Sequence, residues 1–266
     1  MTVTGTQAPG PRTDVPATPG TAADGATGEL KLVLAEACRV IARAGLAEDI
    51  LGHVSARTPG GDAVLVRSRS PQERGLLFTT PADIHEVGDK DDTLPLGYRA
   101  PNEFPIHSQV LKARRDVNSV VHAHAPSVVA CDLAGLELRP IVGAYNIPAM
   151  RMASEGIPLY PRSLLINNDE LGAAVAATLG DRPACVLRGH GVVTVGETVE
   201  QAVVRALNLE ILARMTLDAN RPGTVPPEVP EEDMSAMPDL GSTFNDMYVW
   251  QYQRAQLELA GLGLRR

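Results

Sequence analysis

Four of the chain's six histidines, together with one carboxylate, sit in three short segments far apart along the chain: Glu103-Phe104-Pro105-Ile106-His107, His122-Ala123-His124 and Gly189-His190-Gly191. Segments so separated act together only if the chain folds back and brings them to one point. His122 and His124 are two residues apart in a β-type run, so both imidazoles leave the same face while Ala123 turns toward the core. Neutral imidazoles bind divalent transition metals, and three of them leave coordination positions open to a reactant. An open position makes a metal a catalyst rather than a staple. That points to carbon–carbon bond chemistry, or to hydrolysis at a metal-bound oxygen.

Each piece also has an ordinary reading. A His-x-His pair can be two locally hydrogen-bonded histidines, and a histidine between glycines can simply close a hairpin. Glu103 and His107 share a helix face, as many surface i,i+4 pairs do, although Pro105 between them is odd for a plain surface helix. His53, in Gly52-His53-Val54-Ser55, reads either as a substrate contact or as a satisfied strand histidine. His85 reads as structural or surface, and Arg188 as the partner of a surface acid. The chain contains no GxGxxG loop, P-loop, GxSxG elbow or CxxC pair.

Composition removes several classes of function. The formal net charge of −8 opposes nucleic acid and a polybasic membrane anchor, both of which demand a basic face. No apolar run is long enough to span a bilayer, and the N-terminus lacks the pattern of a signal peptide. Cys38, Cys131 and Cys185 are odd in number and widely spaced, which fits reduced, buried thiols and a cytoplasmic location. An acidic chain that handles a small anionic substrate must concentrate positive charge locally, through a metal and a few arginines.

Residues 1–27 are rich in Pro, Gly, Thr and Ala and read as a disordered tail. A helix is expected from Glu29 to Gly45, on the spacing of Leu30, Val33, Leu34, Ala37, Val40 and Ile41. Strands are expected over 53–57, 63–67 and 76–79, with a Pro59-Gly60-Gly61-Asp62 hairpin turn between the first two. A helix over 103–113 confines Pro105 to its first turn. A strand over 119–124 and a short helix over 128–133 follow. The second half predicts a strand over 163–166, a helix over 169–179 with Asp169 as N-cap, a hairpin of 184–187 and 192–195 around His190, and a long helix over 198–217. Residues 221–240 read as a Pro- and acid-rich loop, and 241–266 as a helical segment with its helix over 244–260. Residues 28–220 then form the catalytic domain. Two hairpin-like connections favour an α/β fold with a largely antiparallel or mixed sheet and helices on both faces.

The ordered set Gly52-His53-Val54-Ser55-Ala56-Arg57, Phe78-Thr79-Thr80-Pro81, Glu103 with His107, His122-Ala123-His124 and Arg188-Gly189-His190-Gly191 resembles the class II aldolase/adducin family. The resemblance implies a three-layer α/β/α sandwich around a mostly antiparallel sheet. It also implies one divalent metal ion per subunit, with Zn ahead of Mn, Fe or Co, and a homotetramer with sites near subunit boundaries. It makes His122, His124 and His190 the metal ligands, Glu103 the carboxylate that binds the metal or serves as acid/base, and His107 a possible additional member. His53, Thr80 and Tyr145 become the substrate contacts. Sugar-phosphate aldolases of the family usually carry Asn where His53 stands, and Ser-Gly where this chain has Ala82-Asp83. Both departures argue against phosphate and toward the family's decarboxylase branch, which acts on hydroxylated aromatic acids such as 3,4-dihydroxyphthalate. The stretches 74–83 and 143–150 point the same way.

Aldol cleavage and decarboxylation share one electronic problem, because the electrons of the broken bond must rest on an adjacent oxygen. A metal there stabilises enolate-like charge by several kcal/mol, and Glu103 is the candidate that returns a proton to carbon. The leading expectation is a metal-dependent lyase that decarboxylates a hydroxylated aromatic acid. The alternatives are an aldolase for a sugar-like or sugar-phosphate substrate, a non-haem iron oxygenase converting a prenylated hydroxyphenylpyruvate to a hydroxybenzoate, and a non-catalytic adducin-like binding module. Phe244, Tyr248, Trp250 and Tyr252 form a C-terminal aromatic cluster, expected to dock on its own core or to cover a neighbouring subunit's site.

Overall fold

The structure is a computed structural model that describes residues 19–61, 63–88, 94–220 and 224–265. Its elements, in order, are α1 (Pro19–Arg43), β1 (His53–Arg57), β2 (Val64–Arg67), β3 (Ile84–Val87), α2 (Phe104–Ala113), β4 (Ser119–Ala123), α3 (Pro126–Leu133), α4 (Ile147–Ser154), β5 (Leu159–Tyr160), α5 (Asp169–Leu179), β6 (Ala184–Leu187), β7 (Gly191–Gly196), α6 (Val199–Ala219), α7 (Glu231–Ala236) and α8 (Gly241–Leu259). The seven strands form one sheet in the order β3-β2-β1-β4-β7-β6-β5. Every neighbouring pair is antiparallel except β5 and β6.

Strand alternation builds two cores. Val54 and Ala56 of β1, Val121 and Ala123 of β4, and Ala184 and Val186 of β6 face one side, where α1, α3, α4, α6 and α8 pack. Val120, Cys185, Leu187, Val193 and Val195 face the other side, against α2 and α5. The result is the α/β/α sandwich with a mostly antiparallel sheet that the resemblance implied. The three cysteines are free and buried, and burial pushes the thiols of Cys38 and Cys131 up to about 11 and that of Cys185 to about 12.

Several local expectations need correction. Helix α1 begins at Pro19, inside the segment read as a disordered tail, because Ala22, Ala23 and Ala26 carry helix propensity backward from the amphipathic part. Residues 1–18 of that tail lie outside the described residues, as does Asp62 of the expected hairpin turn. Residues 76–79 are not a strand. Leu76–Phe78 form a 3-10 turn whose bond closes locally, from Thr79 N–H to the Leu76 carbonyl. The segment 163–166 is not a strand either; the strand there is Leu159–Tyr160. The N-cap of α5 is Asn168, whose side chain accepts the Leu171 N–H, rather than Asp169. Helix α4 has no counterpart in the sequence expectations, since Pro148 in its first turn and its length of eight residues hide the period. Helix α7 interrupts the expected loop, and Val229, Met234 and Met237 pack that stretch onto the larger core.

Candidate metal centre

The site lies where β4 ends and β7 begins. His122 faces the same side of the sheet as Val120, toward α2, and Glu103 occupies the position just before α2. His124 follows β4 and is tied by its N–H to the Leu46 carbonyl. His190 is carried in the turn between β6 and β7. Two glycines make that turn possible. Gly189 has φ +57°, and a Cβ on Gly191 would lie 2.3 Å from the Ala123 carbonyl oxygen, so only glycine lets β7 start against the end of β4.

These elements bring His122, His124, His190 and Glu103 together, with one donor atom from each inside a common span of 4.8 Å. Glu103 Oε2 lies 3.3 Å from His122 Nε2 and 3.5 Å from His190 Nε2, and His122 Nε2 lies 3.2 Å from His124 Nε2. The other nitrogen of His122, Nδ1, donates to the Val192 carbonyl at 3.0 Å. That bond fixes the tautomer of a neutral ring and leaves an Nε2 lone pair facing a carboxylate oxygen. Lone pairs from nitrogen and oxygen converging on one point fit a cation. Three imidazoles and one carboxylate suit a divalent transition metal such as Zn, Mn, Fe or Co.

The electrostatics agree. Burial alone would raise the Glu103 carboxyl, but the His122 and His190 rings beside it, and the Ile166 N–H that donates to Oε1 at 3.0 Å, hold it far below the usual carboxylate range. Glu103 is therefore an ionised carboxylate. Burial, with His122 and His190 nearby, lowers His124 to about 4, so that ring is a neutral donor at ordinary pH.

The remaining sequence candidates are placed differently. His107 is fully buried outside the converging group, between Ser55 and His53. His53 pairs in register with His122 across β1 and β4, and its ring centroid is 5.2 Å from that of His122. Thr80 has its hydroxyl and N–H both engaged by the Asp83 carboxylate, at 2.8 Å each, which gives Asp83 a capping task. Tyr145 stands exposed just before α4. Arg188 is exposed and has no acidic partner among the described residues. His85 packs on Tyr98, ring centroids 4.5 Å apart. Trp250 is buried in the larger core, while Tyr248 and Tyr252 are exposed. The Ile166 N–H was not foreseen as a site group. Its only sequence signal is a β-type run that fails to pair.

The fold and the cluster define a class II aldolase-type protein. The family pattern described as "Class II Aldolase and Adducin N-terminal domain" matches residues 33–217, and the chain belongs to the class II aldolase/adducin family. The chain is 47% identical over 233 residues to the 3,4-dihydroxyphthalate decarboxylase of Arthrobacter keyseri, covering 85% of this chain and 93% of that protein. It is 44% identical over 234 residues to the enzyme of the same name from a Terrabacter species, covering 85% and 95%. A solved aldolase II superfamily protein from Pseudomonas syringae shares the fold with TM-score 0.72 at 23% identity, covering 89% of this chain and 95% of that one. Among the described residues no helix is long and apolar enough to cross a membrane.

Proposed function

We propose that this protein is a metal-dependent carbon–carbon lyase that decarboxylates a hydroxylated aromatic acid of the 3,4-dihydroxyphthalate type. A three-imidazole, one-carboxylate cluster in a chain so like the dihydroxyphthalate decarboxylases carries that reading. His122, His124 and His190 would hold a divalent cation, which would supply a Lewis acid for the substrate oxygen that takes up charge as the carbon–carbon bond breaks. Glu103 starts ionised, so it first accepts the proton of a substrate hydroxyl. It then gives that proton to the ring carbon bearing the departing carboxylate; when carbon dioxide leaves, the electrons of the broken bond restore the aromatic phenolate, and protons and charge balance. The Ile166 N–H keeps Oε1 occupied and leaves Oε2 on the reacting side. Leu51 and Leu165 expose apolar side chains next to the His53 and Ile166 segments, and Leu133 lies against Gly189 in the His190 turn, which suits an aromatic ring. His53, beside the cluster, contacts the substrate. Thr80, turned to Asp83, and the exposed Tyr145 are outer contacts.

Zinc is the proposed ion, and a homotetramer in the cytoplasm the proposed setting; elemental analysis, light scattering and cell fractionation address these in turn. The deciding experiment is incubation of the metal-loaded protein with 3,4-dihydroxyphthalate. One carbon dioxide and one dihydroxybenzoate per turnover are expected, with loss of both on chelation. An aldehyde from ketose phosphates without carbon dioxide would make it an aldolase, and oxygen consumption with iron(II) an oxygenase.

A further inference from the structure

Beneath the cluster lie three connected side chains, of which the reaction above uses only His53, as a substrate contact. His53 Nδ1 is 3.1 Å from His107 Nε2, and His107 Nδ1 is 2.7 Å from Ser55 Oγ. All three residues are buried. His53 and Ser55 leave the same face of β1 because they are two residues apart, and His107 comes from α2, one turn beyond Glu103. With Nδ1 taken by His107, the Nε2 of His53 has no partner among the described residues and is not enclosed. No atom of His53 belongs to the group that converges for a metal.

We propose that His107 and Ser55 are positioning residues that hold His53 as a hydrogen-bond donor toward a carboxylate of the aromatic acid bound at the metal centre; this rests on the decarboxylase reading above. A neutral imidazole has one donor and one acceptor nitrogen, so the two rings set each other's tautomer. Ser55 Oγ–H donates to His107 Nδ1, His107 Nε2–H donates to His53 Nδ1, and His53 Nε2–H is left to donate outward. All donors run in one direction and no proton changes owner. The opposite arrangement would turn a lone pair of His53 toward the carboxylate and repel it. Each inward-facing nitrogen of the two rings is already paired within this run of hydrogen bonds, so the donor comes without a buried charge. In a chain of formal net charge −8, that donor gives an anionic substrate a fixed anchor close to the metal.

Ser55→Ala removes the hydroxyl at the end of the chain and leaves every candidate ligand in place, and Ser55→Thr restores a hydroxyl. In the metal-loaded protein, Ser55→Ala is expected to raise KM for 3,4-dihydroxyphthalate about tenfold, the worth of one hydrogen bond, with kcat moving by less than about threefold. Metal content by elemental analysis stays at the wild-type value, and Ser55→Thr recovers most of the KM. Nitrogen NMR of histidine-labelled wild-type protein, titrated with phthalate as a diacid probe without hydroxyls, should show both His53 and His107 carrying their proton on Nε2. That readout stands even if Ser55→Ala does not fold. An unchanged KM in Ser55→Ala at full metal content overturns the proposal, as does a proton on His53 Nδ1 in the phthalate complex. So does a His107→Gln variant that loses metal in step with activity, since His107 would then be a ligand. If wild-type protein releases no carbon dioxide while phthalate still selects the Nε2–H tautomer of His53, the decarboxylase reading falls and the anchor remains.

Discussion

The outer cluster of His122, His124, His190 and Glu103 and the inner pair of His53 and His107 share one face of the sheet and much the same chemistry, yet they are built for different work. In the outer cluster, His124 and His190 are only partly buried, and Nε2 atoms and a carboxylate oxygen converge within 4.8 Å. In the inner pair both rings are buried, and each nitrogen that faces inward has a hydrogen-bond partner. Unpaired lone pairs facing one another call for a cation; paired ones make a rigid support. Histidine content alone therefore does not separate a ligand from a positioning group. What separates them is whether each nitrogen's partner is a neighbour in the fold or a position shared with other donors.

The sharpest test of that contrast is His122→Ala. It removes the ring nitrogen that lies 3.3 Å from Glu103 and 3.2 Å from His124, and should abolish metal retention and lower carbon dioxide release by about a thousandfold or more. Glu103→Gln comes next, with a fall in kcat of about a hundredfold to ten-thousandfold while metal is held better than in His122→Ala. Metal lost from Glu103→Gln as completely as from His122→Ala would move Glu103 from proton carrier to plain ligand.

The inner pair predicts an effect on stability instead. Above about pH 6.5 neither folded nor unfolded protein protonates His107. Below it the unfolded state takes a proton that the folded state refuses until about pH 3, because burial lowers the buried ring. Stability of the metal-free protein should thus fall as pH drops through that window, by up to about 1.4 kcal/mol per pH unit from this residue. His107→Gln should flatten the slope, as urea titrations at several pH values would reveal; an unchanged slope would remove His107 as its source. Smallest is Asn168→Ala, which removes the α5 cap and should cost about 1 kcal/mol in urea with metal content untouched. Asp169→Ala should cost only a few tenths, through the helix dipole.

Much of the architecture was legible because it rests on local periodicity. The alternation in β1, β4, β6 and β7 and the long apolar stripe of α6 appear in the chain as period two and period 3.6. The same period put His122 and His124 on one face. What escaped was local structure governed by distant partners. Residues 163–166 have strand composition, but their Ile166 N–H goes to Glu103 rather than to a ladder. Residues 76–79 look β-like, but Leu76 is buried from a 3-10 turn. Helix α4 depends on an Asn146 cap and on packing against α6, neither of which a short Pro-containing stretch announces.

The chain by itself determined which residues could supply nitrogen and carboxylate, which faces of its strands they would occupy, and that the fold would be an α/β sandwich, because those properties repeat over a few residues. Only the tertiary structure decided that His107 meets His53 and Ser55, partners more than fifty positions away, instead of joining the other donors. Hydrogen-bond partners across a sheet are chosen by strand order and helix docking, which depend on the whole core at once.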